Sequence, residues 1–316
     1  MGVRIEFLLF VVALYPVAVI SQVPIDLKSF DKKGEASISI EDEILEVTWP
    51  SGEHETGKVY FNLKRDQPLF NKIELIKEEN ISEIASNLEP VFLLSVGERD
   101  LEKRNGWNIF FDQTAYKPYE THLVNLEKRE VRVISEGSRT KISISEVRAG
   151  EFNGSLEITL FNGSPLLNIA VVIATERDSR AIIYDAGLSG SADHWEEVFW
   201  ANTDGYLQNA KVDSETKGKN LAVKYRTVIG QTKQGSLAVF PPPHQYFYPL
   251  DNAYNLKYTW YGKDYSGKVS EFGIGIRHEM LGDRRHVPWF NAPPGTRQRL
   301  NFFILISNEK DGKVLS

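Results

Sequence analysis

The stretch Lys141–Ala174, KISISEVRAGEFNGSLEITLFNGSPLLNIAVVIA, decides the fold class. Its first two segments alternate apolar and polar side chains, and the apolar positions are Ile142, Ile144, Leu156, Ile158 and Leu160. A period of two places these side chains on one face of a β-strand. The third segment, Leu166–Ala174, is apolar at nearly every position, which is typical of a strand covered on both faces. We therefore predict three successive strands, of which the last is central in its sheet.

Two Asn-Gly pairs flank the second of these segments. Asn153-Gly154 precedes it and Asn162-Gly163 follows it. Asn-Gly is the preferred pair for a tight hairpin turn, because both central residues of that turn need a positive φ. The pattern predicts two successive hairpins, and hence an antiparallel meander.

The rest of the chain shows the same short apolar runs separated by turn residues. Roughly fifteen strands are expected in all, too many for an immunoglobulin-type sandwich of seven to nine strands. One short segment, Ile81–Leu88, is the only helical candidate. The predicted fold is all-β, a large antiparallel β-sandwich over residues 22–316, either as one domain or with an N-terminal subdomain over 22–115.

Composition excludes several classes of protein. The 316 residues include 37 Lys and Arg against 43 Asp and Glu, a net charge of −6, which argues against nucleic acid as a partner. The chain has no cysteine, so it is not a small disulfide-stapled domain, and it cannot carry a lipid-modified cysteine.

The first 21 residues are typical of a secretory signal peptide. One early cation, Arg4, precedes the apolar run Phe7–Ile20, and the small Ser21 follows. The run is shorter than the roughly 20 residues that a membrane-spanning helix needs. We predict cleavage near Ser21, a secreted or periplasmic location and no membrane contact afterwards.

The last third of the chain concentrates aromatic rings, prolines and arginines. Aromatic rings stack on the C–H faces of sugars while neighbouring polar groups bind the hydroxyls. The candidate substrate-binding residues are Tyr246, Tyr248, Trp260, Trp289 and Arg297. The alternative is structural, since Trp and Tyr are also common in the cores of β-sandwiches.

Motifs for specific chemistry are incomplete. His278-Glu279 begins a zinc-peptidase pattern, but Gly282 stands where the second histidine belongs. Gly187-Leu188-Ser189-Gly190-Ser191 lacks the last glycine of a hydrolase elbow. Gly273-Ile274-Gly275 lacks the third glycine of a dinucleotide loop. We expect no metal and no cofactor.

Sugar chemistry usually needs two carboxylates, or a carboxylate and a histidine, to exchange protons. The nominated catalytic residues are His244 with Glu271 or Glu279. Asp185 belongs to the wider set of carboxylates near aromatic rings, and Arg277 to the guanidinium groups that suit a uronate. Each of these charges is equally explained as part of a solvated surface.

Three segments carry a resemblance to a known group of proteins: Tyr184–Leu188, Val239–Phe247 and Val287–Thr296. Over roughly residues 60–307 the chain resembles the N-terminal β-rich region of large, uncharacterised secreted bacterial proteins. In that group more chain follows, including a hydrolase-like domain, and the resemblance transfers no catalytic residue. The number of strands also resembles the supersandwich of galactose-mutarotase-like domains.

Three functions are compatible with these patterns. The first is an exported carbohydrate-binding or accessory module of a glycan-processing system, with a poly- or oligosaccharide as its ligand. The second is a carbohydrate-active enzyme, a lyase, hydrolase or epimerase with a His and carboxylate pair. The third is a structural interaction domain that contacts a C-terminal domain or a partner protein.

Overall fold

The computed structural model describes residues 23–99, 118–243, 257–278 and 289–313. In these ranges the chain forms 21 strands and one 3₁₀ turn, Ala192–His194. The strands of the first half are β1 (Ile25–Ser29), β2 (Ser37–Glu41), β3 (Ile44–Gly52), β4 (Glu55–Asn62), β5 (Phe70–Lys77), β6 (Asn80–Glu98), β7 (Tyr119–Leu123), β8 (Asn125–Glu136), β9 (Arg139–Ala149) and β10 (Phe152–Phe161). Those of the second half are β11 (Leu166–Ala174), β12 (Arg180–Gly190), β13 (Glu197–Ala201), β14 (Leu207–Lys211), β15 (Lys219–Ala222), β16 (Val228–Gln231), β17 (Ser236–Phe240), β18 (Lys257–Gly262), β19 (Phe272–Ile276), β20 (Phe290–Asn291) and β21 (Gln298–Ser307).

The strands form two large sheets. The ten-stranded sheet has the order β1-β8-β9-β10-β11-β21-β17-β16-β13-β14. The eleven-stranded sheet has the order β15-β18-β19-β12-β6-β5-β4-β3-β2, with β20 paired to β12 and β7 paired to β6. Only β1 and β8 pair in parallel among these named strands. The predicted all-β class and the large antiparallel sandwich are therefore confirmed.

Alternating strands build the core. Every second residue of β3 and β21 is buried, and the side chains between them are half-buried. The buried residues of the main cluster come from both sheets, and the rings of Phe92 and Phe302 lie 5.5 Å apart across the sandwich. Burying one large apolar side chain is worth about 1.5–3 kcal/mol, so this layer supplies the main driving force for folding.

The predicted meander is present in β9, β10 and β11. Leu156 of β10 pairs with Ile144 on one side and with Val171 on the other. β11 lies between β10 and β21 and is buried at nearly every position, which confirms the prediction for Leu166–Ala174.

One of the two predicted turns is wrong. The second Asn-Gly pair does form a turn between β10 and β11, in which the N–H of Ser164 donates to the carbonyl oxygen of Phe161. Gly163 has a φ of +82°, but Asn162 is not among the residues with a positive φ, so the turn differs from the predicted type. Asn153 and Gly154, in contrast, lie inside β10, and the turn before that strand is made at Gly150, with a φ of +57°. Gly154 serves close packing instead, because a Cβ there would collide with the carbonyl of Val172.

The predicted helix Ile81–Leu88 is also wrong, since the segment is the first half of β6. An irregularity in the β5–β6 pairing between Ile73 and Glu74 lets both Ile84 and Ala85 be buried. Because two adjacent residues are buried, the sequence of this segment does not show the period of two that is typical of a strand. The signal segment lies outside the described residues.

The second half of β6 positions the site described below. Its residues 89–98 pair with β12 and its residues 93–97 also pair with β7, so that Leu94 lies opposite both Tyr184 and His122. Leu94 and Tyr184 point into the main core. Their neighbours Leu93, Ser95 and Asp185 therefore point to the other face of the sheet, away from the sandwich core.

A buried lysine holds the connection between β4 and β5. Lys128 is 1% exposed, and its Nζ donates to the carbonyl oxygens of Asn62, Lys64 and Gln67 at 2.5–3.0 Å. Burial lowers the pKa of Lys128 and raises the pKa of the neighbouring Glu89 carboxyl, and their opposite charges partly offset both effects. The Lys128 ammonium group therefore supplies a hydrogen-bond donor to three carbonyl oxygens of this connection, in place of backbone N–H groups.

Candidate functional site

A polar cavity of about 470 Å³ opens on the outer face of the eleven-stranded sheet, and we call it the basin. Strands β6, β7, β12 and β15 and the residues that follow β18 and β19 supply its walls. The lining residues are Leu93, Ser95, Tyr119, Thr121, Asp185, Gly218, Lys219, Asn220, Tyr265, Ser266, Arg277 and His278. Its volume lies within the range typical of small-molecule sites.

Asp185 is the fixed acceptor of the basin. The hydroxyl of Tyr265 donates to its Oδ2 across 2.8 Å, and the backbone N–H of His278 donates to its Oδ1 across 3.0 Å. Both carboxylate oxygens are thereby held in place. A carboxylate with two such donors is a rigid anchor for further hydrogen bonds from a ligand.

Tyr265 is buried beside this carboxylate. Burial and the nearby negative charge of Asp185 raise the pKa of the Tyr265 phenol well above its ordinary value of 10.0, although the Arg277 guanidinium opposes the shift. Arg277 is itself held, because its Nη1 donates to the carbonyl oxygen of Lys257 across 2.6 Å. At neutral pH, Tyr265 is therefore a protonated hydrogen-bond donor.

His278 closes the inner end of the basin. Its Nδ1 lies 2.5 Å from the carbonyl oxygen of Tyr184, an arrangement in which Nδ1 carries the proton of the neutral ring. Burial, together with the nearby charges of Arg277 and Arg226, lowers its pKa from 6.5 to about 4. The imidazole is therefore neutral at pH 7.

A stacked aromatic pair supports the polar groups. The rings of Trp260 and Tyr265 are 4.0 Å apart and nearly parallel, with 8° between their planes. Trp260 Nε1 donates to the carbonyl oxygen of Ile276 across 3.2 Å. Gly273 and Gly275 make room for the indole, since a Cβ at either position would overlap it. The two glycines of this Gly-x-Gly segment in β19 thus leave the space that the Trp260 ring occupies.

The outer rim of the basin is formed by β7. Ser95 and Thr121 face each other across the β6–β7 pair, with their hydroxyl oxygens 2.8 Å apart. Tyr119, the first residue of β7, is 46% exposed, and its ring meets the ring of Trp289 edge-on at 5.8 Å. The rim therefore offers two hydroxyls and one accessible aromatic ring.

A second cavity of about 460 Å³ lies at the same edge of the sheet but on its core-facing side, and we call it the edge cavity. Its lining residues are Val96, Gly97, Glu98, Pro118, Tyr119, Glu120, His122, Gly150, Glu151 and Arg180. Glu151 forms an ion pair with Arg180, and Glu120 lies 3.7 Å from Nε2 of His122. Tyr119 lines both cavities.

The residues nominated from the sequence fall into three groups. His244, Tyr246, Tyr248 and Glu279 lie outside the described residues. Glu271 is exposed at a bend just before β19 and lines neither cavity.

The remaining three nominated residues are described in full. Trp260 is 1% exposed and supports the basin from below. Trp289 is 6% exposed and packs on Ala181 and Ile183. Arg297 lies at an exposed position 3.9 Å from Glu157. The structure thus places one of them, Trp260, beneath the basin, where it stacks on the lining residue Tyr265.

Sequence reasoning missed Tyr265, Asn220 and the Ser95–Thr121 pair. One usable signal existed at Asp185, a charge in the otherwise apolar run of β12. A carboxylate in the middle of a strand on a well-packed sheet requires partners, and here they are Tyr265 and His278.

Within the four described ranges, no group of three or more His, Cys, Asp or Glu side chains is arranged to hold a metal ion. The same ranges contain no helix with the length and apolar character needed to cross a membrane.

No protein-family model matches the chain, and no curated protein sequence matches it. Similar solved structures are found. A glycosyl hydrolase family 38 protein from Enterococcus faecalis aligns over 90% of this chain and 32% of its own length, at 9% identity and a TM-score of 0.40. A GH36 α-galactosidase from Geobacillus stearothermophilus aligns over 86% of this chain and 41% of its own length, at 6% identity and a TM-score of 0.43.

A putative aldose 1-epimerase from Escherichia coli K12 aligns over 86% of this chain and 99% of its own length, at 9% identity and a TM-score of 0.38. The chain thus spans less than half the length of the two hydrolases. With TM-scores below 0.5, these likenesses carry no argument for the chemistry of this chain.

Proposed function

We propose that the chain is an exported carbohydrate-binding β-sandwich, an accessory module of a glycan-processing system, and that the basin is its sugar site. The observation that carries the proposal is the convergence of Asp185, Asn220 and the Ser95–Thr121 pair on a cavity backed by the Trp260–Tyr265 stack. The export part of the proposal rests on the signal pattern of residues 1–21.

The basin has the chemistry that a sugar ring requires. A carboxylate, an amide and two hydroxyls supply acceptors and donors in fixed directions, and the ring of Tyr119 supplies an apolar face at the rim. Amphipathic aromatic side chains suit a ligand with one apolar face and one polar edge. Because the lining is already held by internal hydrogen bonds, binding costs little ordering of side chains.

The pKa shifts favour binding over proton transfer. A general acid or base works best when its pKa lies near the working pH. In the basin the pKa of Tyr265 is raised well above 10.0 and that of His278 is lowered to about 4. Neither group exchanges protons readily at pH 7, so the enzyme hypothesis has less support from this cavity.

The proposal is tested by affinity electrophoresis of the full chain in gels that contain cellulose derivatives, xylan, mannan, starch or pectin. We expect retardation in at least one gel, and Asn220→Ala should weaken it. Asn209→Ala is the matched control, because Asn209 is an exposed strand asparagine remote from both cavities. Uniform mobility of the wild-type protein in every gel would overturn the proposal.

One observation favours the third function, a structural interaction domain. Tyr206, Leu207 and Tyr225 are 48–70% exposed. Leu207 is the first residue of β14, the outermost strand of the ten-stranded sheet, Tyr206 directly precedes it, and Tyr225 lies in the connection between β15 and β16. Exposed apolar groups beside an unpaired strand edge are typical of association surfaces. Sedimentation of the wild-type chain and of Tyr206→Ser at increasing concentration tests this function. It predicts that the wild-type chain self-associates as the concentration rises and that Tyr206→Ser associates less.

A further inference from the structure

Two opposite charges lie side by side in the basin. Asp185 and Arg277 both line it, and they flank the hydroxyl of Tyr265. That hydroxyl donates to Oδ2 of Asp185 across 2.8 Å, and the Arg277 guanidinium lies within hydrogen-bond reach of it. Two groups that share one hydrogen-bonded partner are about 6 Å apart or less. The basin therefore presents an acceptor and a donor next to each other.

A further charged residue of the lining, Lys219, is directed to the other face of the sheet. It pairs with Tyr261, whose ring belongs to the main core, and its Nζ lies 4.8 Å from the centroid of that ring. Its neighbour Asn220 pairs with Trp260, which lies on the outer face beneath the basin. Because successive side chains of a strand alternate between faces, Asn220 points toward the basin and the Lys219 ammonium group points away from it.

The basin is therefore balanced in charge. Burial keeps His278 neutral, with a pKa of about 4, and keeps Tyr265 protonated at pH 7. Among the described residues that line the basin, Asp185 and Arg277 are then the two charges that face it, and they offset each other. A charged ligand in such a cavity loses hydration without gaining an opposite net charge, which costs free energy. This balance favours a neutral ligand.

We propose that the basin binds a neutral sugar unit with two adjacent free hydroxyl groups, one of which donates to the Asp185 carboxylate while the other accepts from the Arg277 guanidinium. The proposal rests on the function proposed above and adds the chemical class of the ligand. It excludes sugars that carry a charge and sugars whose adjacent hydroxyls are blocked by a linkage or a substituent.

A pair of adjacent hydroxyls matches this arrangement because every hydroxyl both donates and accepts. An ionised carboxylate only accepts, and a guanidinium only donates. Hydrogen bonds to charged groups are also stronger than those between neutral groups. The amide of Asn220, which carries both a donor and an acceptor, lines the same cavity and can bind either hydroxyl in addition.

Both charged groups are held in position by the protein itself. The backbone N–H of His278 donates to Oδ1 of Asp185 across 3.0 Å, and Nη1 of Arg277 donates to the carbonyl oxygen of Lys257 across 2.6 Å. A carboxylate has about four acceptor positions and a guanidinium has five donors, so each group can hold internal partners and a ligand hydroxyl together. The adjacent hydroxyls therefore meet a preformed pair, and binding costs little ordering.

The first experiment is affinity electrophoresis of the full chain in gels that contain xylan, mannan, starch, laminarin or polygalacturonate. The first three polymers are neutral, and their 1,4-linked units carry adjacent free hydroxyls. The 1,3-linked units of laminarin lack such a pair, and polygalacturonate has the pair but is acidic. We expect retardation by at least one of the first three polymers. The affinity for laminarin and for polygalacturonate should be weaker by about tenfold or more.

Soluble competitors test the two hydroxyls directly. The competitors are the methyl glycoside of the sugar unit in the retarding polymer and its 2-O-methyl and 3-O-methyl derivatives, each of which blocks one hydroxyl. We expect the parent glycoside to restore mobility, and each derivative to require about tenfold more. This series uses the wild-type chain and does not depend on the folding of a variant.

Arg277→Lys identifies the donor of the pair. Lysine keeps the charge but replaces the planar fork by a point charge, so the penalty for one of the two O-methyl derivatives should shrink. Arg132→Lys is the control, because that side chain is 55% exposed on β8 in the other sheet, and it should keep the wild-type ratio.

The failure of this proposal is distinguishable from the failure of the proposed function. If the wild type is retarded in no gel, the proposed function itself fails. If laminarin or polygalacturonate retards the chain as strongly as the neutral 1,4-linked polymers, or if O-methylation leaves competition unchanged, the assignment of adjacent hydroxyls on a neutral sugar is wrong and the binding function stands.

Discussion

The hydroxyl of Tyr265 donates a hydrogen bond to Oδ2 of Asp185 across 2.8 Å, and this contact joins residues 80 positions apart in the sequence. It connects the middle of β12 to the segment between β18 and β19. The hydrogen bond thereby fixes the segment that carries Tyr265 to strand β12, which carries Asp185. The stability of the site and its ability to bind should therefore change together when this contact is lost.

Tyr265→Phe keeps the ring that stacks on Trp260 and removes the donor. Loss of a buried hydrogen bond to a charged acceptor should lower the free energy of unfolding by about 1–3 kcal/mol. Denaturant titration measures this change, and polysaccharide retardation should weaken in parallel. Tyr206→Phe is the control, because Tyr206 is 70% exposed and should show neither effect. A fully stable Tyr265→Phe variant would contradict the role assigned to the contact.

His278 should make the folded state sensitive to acid. Its pKa is about 4 in the folded state against an ordinary value of 6.5, so between these values the unfolded state binds more protons. The contribution of His278 to the free energy of unfolding is therefore fully present above about pH 6.5. It is lost as the pH is lowered toward 4, by up to about 3 kcal/mol.

The measurement is denaturant titration at several pH values, for the wild type and for His278→Gln. Subtracting the two curves cancels the contribution of all other titrating groups. We expect the wild type to become more stable relative to His278→Gln as the pH rises from 4 to 6.5. A difference that is independent of pH would show that His278 titrates normally.

Lys128→Met should be among the more damaging single substitutions in the N-terminal half. It leaves three carbonyl oxygens, those of Asn62, Lys64 and Gln67, without their donor, and it leaves the Glu89 carboxylate without a nearby positive charge. We expect a loss of about 3 kcal/mol or more in unfolding free energy.

Hydrogen exchange of residues 63–69 reports the local effect of Lys128→Met, and the amides there should lose protection. Arg129→Met is the control, because that neighbouring side chain is 52% exposed. Adding Glu89→Gln to Lys128→Met should cost less than the sum of the two single changes, because the two charges are coupled. Strict additivity would rule out the coupling.

Gly275→Ala should distort the floor of the basin. The new Cβ would overlap both the indole of Trp260 and the carbonyl of Ala186, and overpacking of this kind typically costs about 1–3 kcal/mol. Thermal unfolding measures the loss, and near-ultraviolet circular dichroism reports the displaced indole. Ser270→Ala, at an exposed position just before β19, should change neither signal.

The fold was largely accessible from the sequence because burial repeats with a fixed period. Leu166–Ala174 was predicted to its ends, since a strand covered on both faces is apolar throughout. The two errors arise where one residue breaks the period. In β6 the irregular pairing opposite Ile73 produces two adjacent buried residues, and at Asn153-Gly154 the glycine is needed for close packing rather than for a turn.

The site was less accessible, because its residues come from distant parts of the chain. Ser95, Asp185, Asn220 and Tyr265 share no local pattern, and only the pairing of strands in the order β15-β18-β19-β12-β6 brings them together. Richness in aromatic residues identified Trp260 but assigned it to the ligand surface, whereas the ring is 1% exposed and supports the site through Tyr265.

The pairing of β6 with β12 also has a kinetic consequence. Glu89 lies opposite Ser189, and Glu98 lies opposite Arg180, so these contacts close loops of 80 to 100 residues. The hairpins from β8 to β11 join residues close in sequence, and their entropy of loop closure is smaller. We expect the β8–β11 meander to form early and the β6–β12 seam to form late, so that refolding is slow and binding capacity is the last property to return.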